Sequence, residues 1–256
     1  MDHESEYYDA LVRLLELIWG EGYMAPGGEG NVAKIAEGLD MRDKRVLDIG
    51  CGIGGPAFFL AREYGANVVG TDIEPPLIER AKRSAKKLGL EAKTEFQVVE
   101  VGPLAFPDDS FDFVVSSGAF TQILNKLEMF KEVLRVLKPG GVFSCYDWMK
   151  SEGEYSEDML YWFKIEGLTY AMATPEEQDE LLREAGFVDV SVVERSEWYR
   201  EQVKNEYERL RGELYSPALE LIGKEETDLR VENWRAMVVI SEKGELRQAY
   251  TRGRKP

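Results

Sequence analysis

The run Val46-Leu47-Asp48-Ile49-Gly50-Cys51-Gly52-Ile53-Gly54-Gly55 places glycines directly after a short apolar stretch. Glycines there permit a tight strand-to-helix turn in which bare backbone can approach a ligand. A Gly-x-Gly-x-Gly run by itself also suits dinucleotide sites. Two carboxylates narrow the choice. Asp48 precedes the first glycine, where dinucleotide fingerprints have an apolar residue. Asp72 ends the next apolar run, 24 residues further on. A carboxylate in that place accepts hydrogen bonds from ribose hydroxyls. The ligand therefore carries adenosine, with no diphosphate required. The alternative is a packing turn with Asp72 as a helix N-cap.

Composition removes other chemistries. The 256 residues hold two cysteines, Cys51 and Cys145, and one histidine, His3. That excludes a disulfide scaffold, a cysteine-built zinc site, a multi-histidine metal site and a histidine triad. Acids outnumber Lys and Arg 48 to 32, for a net charge of −16. Such a surface disfavours a nucleic-acid partner and attracts cations. No apolar run reaches membrane-span length, and the charged stretch 1–9 does not read as a signal peptide. The expectation is a cytoplasmic protein, monomeric or homodimeric, acting on a small molecule.

The glycine loop must sit between elements, and the pattern supplies them. Residues 7–19 repeat leucines and Ile18 at helical spacing, and 30–39 form a second helix. Strands then alternate with helices. The predicted strands are 45–49, 67–71, 94–99, 111–116, 142–146, 188–193 and a last one at 234–241. The predicted helices between them are 56–64, 75–88, 127–137 and 175–185, with one long polar helix at 197–221. Thr174-Pro175-Glu176-Glu177 supplies an N-cap, a first-turn proline and first-turn acids. Alternation of this kind means βαβ units and an α/β fold, with a mostly parallel sheet and helices on both faces. We read 1–256 as one domain. Residues 1–40 are N-terminal helices, 41–150 a ligand-binding core, and 151–180 and 196–230 helical insertions forming a lid.

Asp48-Ile49-Gly50-Cys51-Gly52, Asp72, Leu137-Lys138-Pro139-Gly140-Gly141 and Phe106-Pro107-Asp108-Asp109-Ser110-Phe111-Asp112 together resemble the class I S-adenosylmethionine-dependent methyltransferases. The resemblance implies a Rossmann-like seven-stranded sheet with the last strand antiparallel, and S-adenosylmethionine as cofactor. It implies that Gly50 and Gly52 abut the methionine part, Asp72 holds the ribose, and Glu100 and Val101 flank the adenine. Asp48, Ile73 and Ser116 complete the cofactor set it implies. A narrower resemblance, carried by Trp19-Gly20-Glu21-Gly22-Tyr23, Gly27-Gly28, Trp234, Tyr250 and Arg252, is to the phosphoethanolamine N-methyltransferases. The relatives that methylate glycine, sarcosine and dimethylglycine are similar too. That likeness implies an N-terminal helix closing over the cofactor, with Tyr7 between cofactor and substrate.

The departures shape the chemistry. Phosphobase enzymes follow the fourth strand with an Asp and, one turn on, a His; this chain has Gly118 and Gln122. Their phosphate-binding arginine is matched by Leu168. Tyr170, Arg252 and Lys164 remain as partners for an acceptor's phosphate or carboxylate. Methyl transfer needs alignment and exclusion of water rather than a metal. An amine nucleophile also needs a route for its proton, for which Tyr7, Glu6 and a water held by Gln122 are available. Trp148 and Tyr170 could stabilise a methylated cation through their rings. The reading is N-methylation of a small polar amine, with Tyr7 and Gln122 catalytic and Trp148, Tyr170 and Arg252 on the substrate. The alternatives are S- or O-methylation of a small thioether or hydroxy acid, and a catalytically impaired cofactor-binding regulator.

Overall fold

The computed structural model describes residues 9–168 and 170–256. Two helices, α1 (Asp9–Trp19) and α2 (Gly28–Ala36), precede an alternation of strands and helices. It runs β1 (Arg45–Ile49), α3 (Gly55–Tyr64), β2 (Asn67–Asp72), α4 (Pro75–Leu88), β3 (Thr94–Val98), β4 (Phe111–Ser117), α5 (Lys126–Val136) and β5 (Leu137–Lys150). Then come α6 (Glu157–Glu166), α7 (Pro175–Ala185), β6 (Val188–Glu194), α8 (Ser196–Arg211), α9 (Tyr215–Ile222), α10 (Lys224–Glu242) and β7 (Leu246–Arg254).

The sheet has seven strands in the order β3-β2-β1-β4-β5-β7-β6. Pairs among β1 to β5 are parallel, and β7 runs antiparallel to both β5 and β6. Central β1 is buried from Val46 to Ile49, as expected for a strand covered on both faces. One face carries α2, α3 and α4, with Val32, Phe58 and Ile78 in its core. The other carries α5 and α7 around Phe130, Val133 and Leu182. Helices α1, α6, α8, α9 and α10 form a third packed group around Leu14, Trp162, Tyr199, Leu210 and Trp234.

Three expectations need correction. Residues 234–241 are the end of α10, not a strand. Asn233, Trp234, Ala236, Met237, Ile240 and Ser241 are its buried residues there, a helical spacing that overrides the β-branched Val238 and Val239. The last strand is β7, whose burial alternates from Ala249 onward. The long helix predicted at 197–221 breaks at Gly212, giving α8 and α9. Helix α7 packs on the sheet beside α5 rather than in the third helical group, because Leu182 and Ala185 join the core beneath the sheet. Its predicted N-cap, Thr174, is present and forms with Glu177 a capping box that the sequence reading did not name.

Candidate functional site

A cleft of about 760 Å³ lies over the carboxyl ends of β1 to β4. This is where open α/β sheets hold their ligands. Its floor is the glycine loop after β1, and its sides are the segments after β2, β3 and β4. Residues 22–25, between α1 and α2, close one end. Gly50 has φ +70°, and a Cβ there would lie 2.3 Å from the Ala119 Cβ. At Gly55 a Cβ would lie 2.2 Å from the Gly22 carbonyl oxygen, which accepts from the Gly55 N–H at 3.1 Å. The glycines thus let two loops meet backbone to backbone.

Asp72 is not the N-cap of α4, a place taken by Glu74. Its carboxylate accepts from the Gly52 N–H at 2.8 Å and from the Glu74 N–H at 3.0 Å, tying the glycine loop to the start of α4. It also lines the cleft. A carboxylate has about four lone-pair sites, so capacity remains for a ligand hydroxyl. Burial raises the Asp72 carboxyl above its ordinary range, and those N–H donors pull the other way. Gly50, Gly52, Ile73, Glu100, Val101 and Gln122 line the same cleft. Ile73 and Val101 are 51% and 88% exposed, so two apolar side chains stand free at its mouth.

Other predicted residues lie elsewhere. Asp48 is fully buried beneath the loop and does not line the cleft. Neither carboxylate oxygen of Asp48 has a hydrogen-bond partner among the described residues. Burial, with the Asp72 charge adding to it, pushes its carboxyl up to about 7. Ser116 is also buried, donating to the Ile49 carbonyl at 2.8 Å; the strand's alternation gives the cleft Ser117 instead. Arg252 is not a substrate residue. Its guanidinium donates to the Ile35 and Glu37 carbonyls at 3.0 and 2.7 Å, closing the carboxyl end of α2, and to Ser144 Oγ at 3.1 Å. Tyr7 and Glu6 lie outside the described residues.

A smaller inner cavity of about 70 Å³ adjoins the cleft, sharing Met24, Ala25, Gly118 and Gln122 with it. Trp148 and Tyr170 line it, as their substrate assignment requires, together with Trp19 and Leu168. Trp148 and Tyr170 meet edge to face, with ring centroids 6.0 Å apart. Gln122 is held by a short 3-10 turn, Phe120–Gln122. Buried Lys126 fastens that turn by donating to the Phe120 and Ile123 carbonyls at 2.6 and 2.9 Å. Burial lowers the Lys126 ammonium's affinity for its proton, and Asp147 partly restores it. Burial pushes the Asp147 carboxyl up to about 7, against the pull of Lys126.

Sequence reasoning missed Glu166 and Gln248, which line the inner cavity from α6 and β7. It also missed the Lys126–Asp147 pair. Lys126 and Gln248 do not stand out in the pattern, because α5 and β7 carry several other charged residues. Only tertiary packing shows what they face. No group of three or more potential metal-ligating residues occurs among the described residues.

Residues 46–141 match the family described as the methyltransferase domain. Phosphoethanolamine N-methyltransferase 1 of Zea mays is 31% identical over 233 residues, 91% of this chain and 46% of that protein. The chain spans about half the length of the first plant relatives it matches. The structure of Haemonchus contortus phosphoethanolamine N-methyltransferase 2 with phosphomonomethylethanolamine and S-adenosylhomocysteine superposes with a TM-score of 0.91. It is 25% identical, and the match covers 99% of this chain and 59% of that one. A putative sarcosine dimethylglycine methyltransferase from Galdieria sulphuraria shares the fold, with a TM-score of 0.83 at 22% identity, covering 97% of this chain and 98% of that one.

Proposed function

We propose a function from one premise: the chain belongs to the class I S-adenosylmethionine-dependent methyltransferases. It transfers the methyl group of S-adenosylmethionine to the nitrogen of a small polar amine. One observation carries the reading. The glycine-floored cleft adjoins, across Gln122 and Gly118, a small cavity walled by aromatic rings.

The residues present fit the cofactor. Asp72 keeps acceptor capacity for ribose hydroxyls. The free side chains of Ile73 and Val101 suit the two faces of adenine, with Glu100 beside them to accept from its amino group. Gly50 and Gly52 leave backbone for the methionine portion to approach. The cofactor supplies a methyl carbon already activated on a sulfonium. The chain's own residues therefore align and exclude water. Gln122, at the junction of the two cavities, orients the acceptor or a water. Trp148 and Tyr170 flank the methylated cation that forms. Helix α6 and the helices from α8 onward act as the lid, and Tyr7 is assigned to the same closure.

The test is transfer of a labelled methyl group from S-adenosylmethionine to a panel of amines, thioether acids and hydroxy acids. Label on an amine is the expected result. Label on a thioether or hydroxy acid alone would reassign the nucleophile. Cofactor binding with no label on any acceptor would mark a regulator that has lost catalysis.

A further inference from the structure

The inner cavity is polar in an unusual way. Gln248 is 1% exposed, lines the cavity, and neither end of its amide has a hydrogen-bond partner among the described residues. The buried Thr121 hydroxyl beside it is also unpartnered among them. Buried polar groups without partners are destabilising, so a polar ligand that pairs with them would be favoured here. Glu166 is the one acidic or basic side chain among the described residues that line it. Its orientation is enforced. The Trp162 indole N–H donates to Asn233 Oδ1 at 3.3 Å, which turns Asn233 Nδ2 onto Glu166 Oε2. Burial raises the Glu166 carboxyl, while Arg230 of α10 and Asn233 oppose that. Arg230 is itself paired with Glu226 at 2.7 Å.

The cations near this cavity are committed elsewhere. Lys126 is held by two carbonyls, and Arg252 closes α2. Lys164 is exposed and does not line the cavity. Leu168 occupies the wall. A phosphate or carboxylate here would find neutral donors, the Gln248 amide, the Thr121 hydroxyl and the Trp148 indole N–H, but would face the Glu166 carboxylate with no cation to offset it. An ammonium would meet a counter-ion, ring faces and amide oxygen, all favourable to it. The size agrees. One water needs roughly 10–15 Å³ of such space, so about 70 Å³ takes on the order of five heavy atoms.

From this the geometry points to the inner cavity as a subsite for a cationic amine head bearing no phosphate or carboxylate, with Glu166 as its counter-ion and Trp148, Tyr170 and Gln248 around it. This rests on the methyltransferase reading and names its acceptor class. Methylation needs the nitrogen lone pair. The ammonium N–H bond therefore breaks, its electron pair stays on nitrogen, and the proton forms an O–H bond on the Glu166 carboxylate.

Calorimetric titration of the full chain decides it, with choline as the cationic probe, 3,3-dimethylbutanol as its neutral isostere and phosphocholine as the anionic competitor. Each is titrated with and without S-adenosylhomocysteine. Choline is expected to bind more tightly than either other probe by about tenfold or more. Glu166→Gln should remove most of that margin, and Glu166→Asp should restore part of it. Leu168→Arg, which sets a guanidinium at the wall, should move the preference toward phosphocholine by about tenfold. It decides the question if Glu166→Gln does not fold. Phosphocholine binding as tightly as choline, an unchanged choline affinity in folded Glu166→Gln, or an unmoved preference in Leu168→Arg would overturn the proposal. The S-adenosylhomocysteine titration run alone tests the methyltransferase reading separately. Choline binding without cofactor binding would sink that reading and leave the cation subsite standing.

Discussion

Asp72 and Asp48 are both acids at strand ends, yet the fold gives them opposite tasks. Asp72 faces the cleft while holding two N–H groups of its own loops. Asp72→Asn keeps an acceptor for one of these and loses the charge. S-adenosylmethionine affinity should fall by about 1.5–3 kcal/mol, the usual worth of a charge-assisted hydrogen bond. Calorimetry on the folded variant checks this, and unchanged affinity would remove Asp72 from the site. Asp48 is buried without a partner, its carboxyl raised from an ordinary 3.8 to about 7. Folding therefore favours its protonated form. That contribution is intact below about pH 4 and is lost as pH rises through about 7. Asp48→Asn mimics the protonated acid. Its melting temperature should gain on the parent's between about pH 5 and pH 8.5. A constant difference across that range would mean that Asp48 ionises without cost.

At the scale of elements, the turn after β4 governs how Gln122 meets the cleft. This turn is anchored on its apolar side by Phe120, stacked on Phe130 at 5.3 Å and beside Phe143 at 5.2 Å. Lys126, at the start of α5, reaches back to two of its carbonyls, and Asp147 of β5 balances the charge. Lys126→Met keeps length and apolar bulk but leaves two carbonyls without their donor and removes the charge facing Asp147, whose carboxylate keeps the Trp148 N–H. The expected loss is about 2–4 kcal/mol of stability. At this chain length that lowers the melting temperature by on the order of 10 °C. Turnover should fall further than cofactor affinity, since the cleft floor belongs to a different loop. A variant melting with the parent would show that the ammonium is dispensable. The failure to read α10 belongs to this scale too. Its Ala236-Met237-Val238-Val239-Ile240 run favours a strand locally, and packing against α6 and α8 makes it a helix.

At the scale of the whole molecule, the cleft is shared between sheet loops and residues 22–25, and the inner cavity between the sheet and the third helical group. A ligand filling both ties these parts together. S-adenosylhomocysteine at about a hundred times its dissociation constant should add about 2.7 kcal/mol of stability, read as an upward shift in melting temperature. Asp72→Asn should shrink that shift at equal ligand concentration, and no shift in the parent would contradict the assignment. The sequence by itself determined the α/β alternation, the glycine loop and the acid that ends β2. It did so because these depend on local rules: period-two and helical hydrophobic patterns, and turns that only glycine allows. The family resemblance pointed to Ile73, Glu100, Val101 and Gln122, and all four line the cleft, where residues just past parallel strands collect. Tertiary structure alone decided that Asp48 and Ser116 face inward, that Arg252 closes α2, and that Glu166 and Gln248 meet across a cavity. Those outcomes depend on which side of a strand or helix is covered, and by what. Glu166 and Gln248 stand 82 positions apart, and no local period links them. Only the antiparallel return of β7 beside β5 brings the second within reach of the first.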